Sequence, residues 1–510
     1  MVLISCAYFL TGAVRSGFAA FSITQSQVVS WRWNELAEPL NILLIRPKSV
    51  YADVVAGIPI GPALLAAVAE GKGHRVRILD IGLERKPEEI IRHAFESNRY
   101  DIAGLSCMSV EFLGGLETAQ AIRKLSPNTH IILGGQHATI MPEQAMKAEC
   151  LDSICLGEGE DVWSDFLDRM SAGAGLDNVA GLWFRRNGKV ERNPGRSTFV
   201  DVDAVPMPAY HLLDIERYFD LDFVRFPTVD RRAIQIFTSR GCPYRCIYCH
   251  DLFGKKFRGR KPELVWEEIK FLYDTYGIRE FMVEDDVFNM DIERAKHICD
   301  LVVASGLELG FQFGNGVRLE RFDEELMRKL ALAGTHHMAI AIESASGRIQ
   351  KLIRKNLKVS RLDEVLGWAR RYGIETLGFF MLGFPGETVA EINQTIKYAG
   401  NSRFDEALFS IATPYAGTEL NELVRATGSY EGGHDLHDEW EGVVRIKSEE
   451  WDHRKLKRLQ RKAYFMFFLT RFRFVSILMK MRSPKMFRRY WAAFTRNFVP
   501  FFQSQRSRIN

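Results

Sequence analysis

Three cysteines fall in one short stretch, Gly241-Cys242-Pro243-Tyr244-Arg245-Cys246-Ile247-Tyr248-Cys249-His250, with the spacing C-x3-C-x2-C. Thiolates this close can bind three irons of an iron–sulfur cluster. No fourth cysteine lies nearby, so one iron stays open to a substrate or cofactor. Zinc also favours clustered cysteines, but a structural zinc site asks for a second half. None is visible here, and His250 follows Cys249 too directly to close a compact shell. Disulfides fit poorly with 8 Cys in 510 residues and no clear secretory signal. The remaining cysteines, Cys6, Cys107, Cys150, Cys155 and Cys299, are scattered and read as small buried apolar residues.

The loop follows an apolar run, residues 233–238, that reads as a buried strand. Five more such runs alternate with helical stretches up to about residue 423. They cover 279–286, 312–318, 338–344, 376–386 and 407–414. Six strands predict a partial (β/α) barrel over residues 231–430. Sites in such barrels lie at the C-terminal strand ends. Those ends carry Glu284-Asp285-Asp286, Arg318, Glu343 and the turn Gly383-Phe384-Pro385-Gly386-Glu387-Thr388. Glu343 closes a nearly uncharged strand, so its carboxylate needs a partner. Arg318 is the structural partner considered. His250, His336, His337 and Tyr415 are candidates for the substrate side.

Upstream, five apolar runs near residues 40–47, 75–80, 101–106, 130–135 and 153–160 also alternate with helical stretches. That order implies a parallel, doubly wound sheet, which binds ligands at the carboxyl ends of its strands. The loops at those ends hold Ser106-Cys107-Met108-Ser109, Gly134-Gly135-Gln136-His137-Ala138-Thr139 and Gly157-Glu158-Gly159-Glu160. Glycines there let backbone approach a bulky ligand closely.

The spacing C-x3-C-x-aromatic-C, with Tyr248 as the aromatic, resembles the signature of the radical SAM enzymes. The stretch from Tyr248 to Arg258 is similar to the subgroup that also carries a cobalamin-binding domain. The resemblance implies that Cys242, Cys246 and Cys249 hold a [4Fe–4S] cluster whose open iron chelates S-adenosylmethionine (SAM). It also implies that Tyr248, Glu284, Asp286, Arg318 and Glu343 belong to the SAM site. Residues 41–165 resemble the cobalamin-binding domain, which implies corrinoid contacts at Ser106, Ser109, Gly134, Gly135, His137, Gly157 and Gly159. One departure matters. The D-x-H-x-x-G motif, whose histidine ligates cobalt from below, is absent. His74 precedes a strand on the wrong side of the sheet, and His137 lacks the motif around it. Cobalamin here is therefore expected without a protein histidine beneath the cobalt.

The fold class expected is α/β. An N-terminal extension (1–40) precedes a Rossmann-like cobalamin-binding domain (41–170) and a linker (171–230). A partial (β/α)6 radical SAM barrel (231–430) and a basic, aromatic helical region (431–510) follow. The apolar stretch at residues 2–10 is too short to span a bilayer and lacks the preceding charge of a signal peptide. In the last region, Arg471 and Arg473 interrupt the apolar run. It reads either as an interfacial helix on anionic lipid or as a cap packed on the barrel. Hydrophobic content of 46%, charged content of 26% and a net charge of +4 suit a globular protein and give no reason to expect nucleic acid.

The resemblance, to methyltransferases and to the anaerobic magnesium-protoporphyrin ester cyclase, implies C-methylation of an unactivated carbon in a hydrophobic or natural-product-like substrate. An oxidative cyclase and, in another class, a cobalamin-responsive binding module are the alternatives. The partners implied are a small molecule, lipid-like or tetrapyrrole, and a reductase, flavodoxin or ferredoxin that supplies electrons. Reduced thiols beside a cluster point to the cytoplasm, with membrane contact through the C-terminal region.

Overall fold

The computed structural model describes residues 38–49, 57–195, 199–219, 232–430 and 446–473. The expected N-terminal extension lies almost wholly outside these residues, as does most of the C-terminal region.

The first sheet holds β1 (Asn41–Arg46), β2 (Arg75–Asp80), β3 (Ile102–Ser106), β4 (His130–Gly134), β5 (Ser153–Cys155), β6 (Leu182–Arg186) and β7 (Lys189–Arg192). Their spatial order is β2-β1-β3-β4-β5-β6-β7. The first five are parallel and the last two antiparallel. Leu43 and Ile45 of β1 enter the core on one face, Ile42 and Leu44 that on the other. Burial on both faces is why these strands read as continuous apolar runs.

The span 171–230, expected as a linker, is corrected by β6 and β7. Asn187 and Gly188 join them with φ of +50° and +78°, the left-handed pair that a two-residue hairpin turn requires. Beyond them, residues 199–219 pack as a strap rather than a free tether. Ala209 N–H donates to Ala63 O at 2.9 Å. Tyr210 donates to Glu268 at 2.5 Å and Tyr218 to Asp80.

The second sheet is wholly parallel, ordered β8-β11-β12-β13-β14-β15. Its strands are β8 (Ala233–Ile236), β11 (Glu280–Val283), β12 (Gly310–Val317), β13 (Thr335–Glu343), β14 (Glu375–Leu382) and β15 (Glu406–Ile411). Two short strands, β9 (Ser239–Arg240) and β10 (Arg258–Gly259), pair antiparallel beside the cysteine loop. The six-strand barrel expectation thus matches the strands found. The helix His453–Leu469 buries Leu456, Leu459, Ala463 and Phe467, a spacing that makes one helical face. That face packs on β15 and on the helix Val389–Asn401, so this stretch is a cap on the barrel. Among the described residues no helix is long and apolar enough to cross a membrane.

Candidate functional site

The cysteine loop is held from two sides. At its base, Asp285 accepts from Thr238 N–H and Thr238 Oγ1 at 2.6 Å each and from Ser239 Oγ at 2.5 Å. Asp286 accepts from Gly241 N–H at 2.9 Å. Gly241 has φ +81°, and a Cβ there would sit 2.3 Å from Lys256 O, so only glycine fits the entry to Cys242. On the far side, Ile247 N–H donates to Ile353 O and Leu420 N–H to Ile247 O. The run Glu284-Asp285-Asp286 therefore divides its work. Asp285, absent from the candidate residues, and Asp286 hold the loop's backbone, and burial pushes the Asp286 carboxyl up. Glu284 lies 3.5 Å from Gln235 Nε2.

A hydrogen bond from Cys249 pulls the Cys246 thiol down to about 6, and the same bond pushes Cys249 up. Two of the three sulfurs already face each other. No three His, Cys, Asp or Glu side chains among the described residues converge where a single ion could sit. A cubane asks for something wider, because each thiolate binds its own iron corner. The triad suits that spacing better than a compact zinc shell.

Glu343 sits at the C-terminal end of β13, buried, with φ +64°. A non-glycine residue there is strained, and such strain gathers at functional positions. Its Oε1 accepts from Tyr248 Oη at 3.1 Å and lies 3.4 Å from Lys355 Nζ. Arg318, considered as its partner, is elsewhere. Its guanidinium lies 3.8 Å over the Tyr244 ring, pairs with Glu320 at 3.0 Å and donates to Lys355 O. The turn after β14 is closed by Glu387, whose Oε2 accepts from Gly383 and Phe384 N–H at 2.7 and 3.1 Å. Thr388 then caps the following helix.

Two of the substrate-side candidates are displaced. His336 and His337 lie at the N-terminal end of β13, where His336 pairs with Glu280 at 3.0 Å. That is the opposite end of the sheet from the cysteines. His250 contacts Ala416 O at 2.9 Å, and its ring lies 6.1 Å from that of Tyr415, beside the loop.

Between the two sheets lies a cavity of about 1240 Å³, its open mouth included. Ser106, Gly134, Gly135, Gly157 and Gly159 form its floor, with Leu44, Gly104 and Trp163. Phe237, Arg240, Leu252 and Phe253 of the barrel part form its roof. Gly135 has φ +92°, and a Cβ there would lie 2.7 Å from Cys107 O. A broad, mainly apolar cradle with polar groups at its rim fits a corrinoid. No histidine lines it.

Two expected corrinoid contacts, His137 and Ser109, lie off the cavity. His137 is fully buried, stacked 3.7 Å from the Phe112 ring and 3.3 Å from Ser109 Oγ. Neither His137 nor Ser109 lines the cavity. Gly135 turns the chain so that the imidazole enters the core behind the sheet edge, where burial holds it at about 4. Sequence reasoning missed the roof. Leu252 and Phe253 stood in the motif-bearing stretch, but no spacing pointed them upstream.

Residues 52–167 match the B12 binding domain and residues 236–399 the Radical SAM superfamily. An uncharacterized methyltransferase of Pyrococcus horikoshii is 33% identical over 84% of this chain and 93% of its own length. The cytidylyl-2-hydroxyethylphosphonate methyltransferase of Streptomyces wedmorensis is 30% identical over 72% of this chain and 78% of its own. The anaerobic magnesium-protoporphyrin IX monomethyl ester cyclase of Rubrivivax gelatinosus is 26% identical over 75% and 69%. Among solved structures, the cobalamin-dependent SAM radical enzyme OxsB shares the fold, with a TM-score of 0.70 at 18% identity over 91% of this chain and 72% of that one. The protein belongs to the cobalamin-dependent radical SAM enzymes, the family of methyltransferases and related catalysts whose cofactors are a [4Fe–4S] cluster, SAM and cobalamin.

Proposed function

We propose that the protein is a methyltransferase that places a SAM-derived methyl group on an unactivated carbon of a small, largely hydrophobic molecule. One observation carries this reading: the roof of the glycine-floored cavity comes from Leu252 and Phe253, just past the third cysteine. When bound, the cluster and SAM supply a hydrogen-abstracting radical, and cobalamin carries the methyl group. Cys242, Cys246 and Cys249 hold the cluster. Asp285 and Asp286 fix the loop's base. Glu343, oriented by Tyr248 and Lys355, offers a buried carboxylate to the SAM ammonium or ribose, and Arg318 and Glu284 lie at neighbouring strand ends. Phe237, Leu252 and Phe253 keep water from the cavity. A flavodoxin, ferredoxin or reductase supplies the electron in the cytoplasm. A lipid-like or tetrapyrrole substrate suits the apolar lining. Outward Arg454, Lys455 and Arg458, with Phe465 and Leu469 exposed at 62% and 50%, support contact with an anionic lipid surface.

The likeness to the cyclase favours a second reading, an oxidative ring closure begun by the same radical. Mass spectrometry with methyl-labelled SAM and candidate substrates separates the two. Labelled methyl in the product supports transfer, and hydrogen loss without label supports cyclisation. Reduced, reconstituted protein should release 5′-deoxyadenosine from SAM, and Cys246→Ala should not. Equal release from both would overturn the cluster assignment.

A further inference from the structure

Four charged side chains that the reaction above does not use meet at the edge of the cavity. Glu158 and Glu160 follow β5, on the cavity floor. Arg240 ends β9, two residues before Cys242, and Arg258 opens β10 opposite it in register. Arg240 Nη1 lies 3.2 Å from Glu158 and Nη2 2.5 Å from Glu160. Arg258 binds both oxygens of Glu158, at 2.7 and 2.9 Å. Glu158 also accepts from Val200 N–H at 2.9 Å. Side-chain exposures are 3% and 9% for the acids and 12% and 11% for the arginines.

Two carboxylates balance two guanidiniums, so the group is neutral although buried. Apolar contacts would join the two parts without desolvating four charges. What a guanidinium fork adds is direction, because it fixes distance and angle together. The fork of Arg240 reaches two acids that flank Gly159 of the floor, while its own backbone leads into the cluster loop. Glu158, Glu160 and Arg240 all line the cavity.

We propose that Arg240 is a positioning residue whose fork across Glu158 and Glu160 sets the separation and orientation of the cysteine loop over the corrinoid cavity. The proposal rests on the cobalamin reading. Its test needs no substrate. Reconstituted full-length protein is loaded with hydroxocobalamin, desalted and reduced, and electron paramagnetic resonance then reads the magnetic interaction between cob(II)alamin and the reduced cluster. Wild type should show one well-defined interaction. Arg240→Lys keeps the charge but loses the fork, and Glu160→Gln leaves the Arg258 pair intact. Both should keep iron and corrinoid content, yet show a broadened or vanished interaction. An interaction identical to wild type in either variant, with both cofactors present, overturns the positioning role. Loss of iron and interaction together in both variants also overturns it, because Arg240 then only supports the fold. A wild type that retains no corrinoid overturns the cobalamin reading itself, which the other outcomes leave standing.

Discussion

Asp285→Ala should be the most damaging single change near the cluster that touches no ligand. The carboxylate takes three donors at 2.5–2.6 Å, and Thr238, Ser239 and Asp285 are at most 2% exposed. The two hydroxyls can turn to other acceptors, but Thr238 N–H cannot. Arg294, 8% exposed, donates to Thr238 O and Arg260 O, and Asp285 acts on it more strongly than Asp291 or Asp203 does. Removing the acid leaves the buried Thr238 N–H unpaired and takes away the strongest of the negative charges acting on Arg294. A hydrogen bond to a charged group is worth about 1.5–3 kcal/mol, and a buried donor left without a partner costs about 1–3 kcal/mol. Three bonds are lost and the two hydroxyls recover part, so the net loss should be about 4 kcal/mol.

For a domain of this size each kcal/mol lowers Tm by about 2–4 °C, so Asp285→Ala should melt about 8–16 °C below wild type. Asp285→Asn keeps the shape and one acceptor, and should lose roughly a third of that. Asp286→Ala removes a single bond to Gly241 and should cost about 1 kcal/mol. Anaerobic calorimetry of the three proteins tests the ranking, and iron analysis after reconstitution reads the loop directly. A Tm for Asp285→Ala within about 2 °C of wild type, with full iron, would refute the view that this carboxylate anchors the loop.

Gly135→Ala should abolish retention of hydroxocobalamin after desalting, because a Cβ 2.7 Å from Cys107 O forces the floor to move. His137→Leu should retain it like wild type, and its loss there would put His137 among the corrinoid contacts after all. Burial holds the Glu387 carboxyl at about 7 against its ordinary 4.5. The folded state thus keeps a proton that the unfolded state gives up between about pH 4.5 and 7. Stability should therefore fall by roughly 3 kcal/mol as pH rises through that window. Glu387→Gln, which still accepts from Gly383 and Phe384, should flatten that slope in urea titrations at pH 5 and pH 8; an unchanged slope would place the proton elsewhere. Glu343→Gln should weaken SAM binding by at least about tenfold, one charge-assisted contact, while leaving iron content unchanged. Equal SAM affinity by calorimetric titration would remove Glu343 from that site.

What could be read before any coordinates was local. The cysteine spacing, the apolar strands and the glycines after them each announce themselves within a few residues, and the two sheets follow from their alternation. The hairpin of β6 and β7 was equally local. Asn187-Gly188 is a strong turn signal, but the flanking runs are short and half-exposed, so the stretch read as a linker. Three other features are not local at all. Glu343 needed a buried cation, and both Arg318 and Lys355 stand near enough in sequence to serve. The choice fell to Lys355 because the chain after the helix Gly347–Leu352 folds back with positive φ at Arg354 and Asn356. His137 points away from the cavity because Gly135 breaks the strand's alternation just before it. The cavity joins floor and roof residues about a hundred positions apart, as the Glu158–Arg258 pair also does. Periodicity carries information about a face, not about which distant face it meets. That is why each half of the site was legible alone, while the clamp that sets one half over the other emerged only from the packed chain.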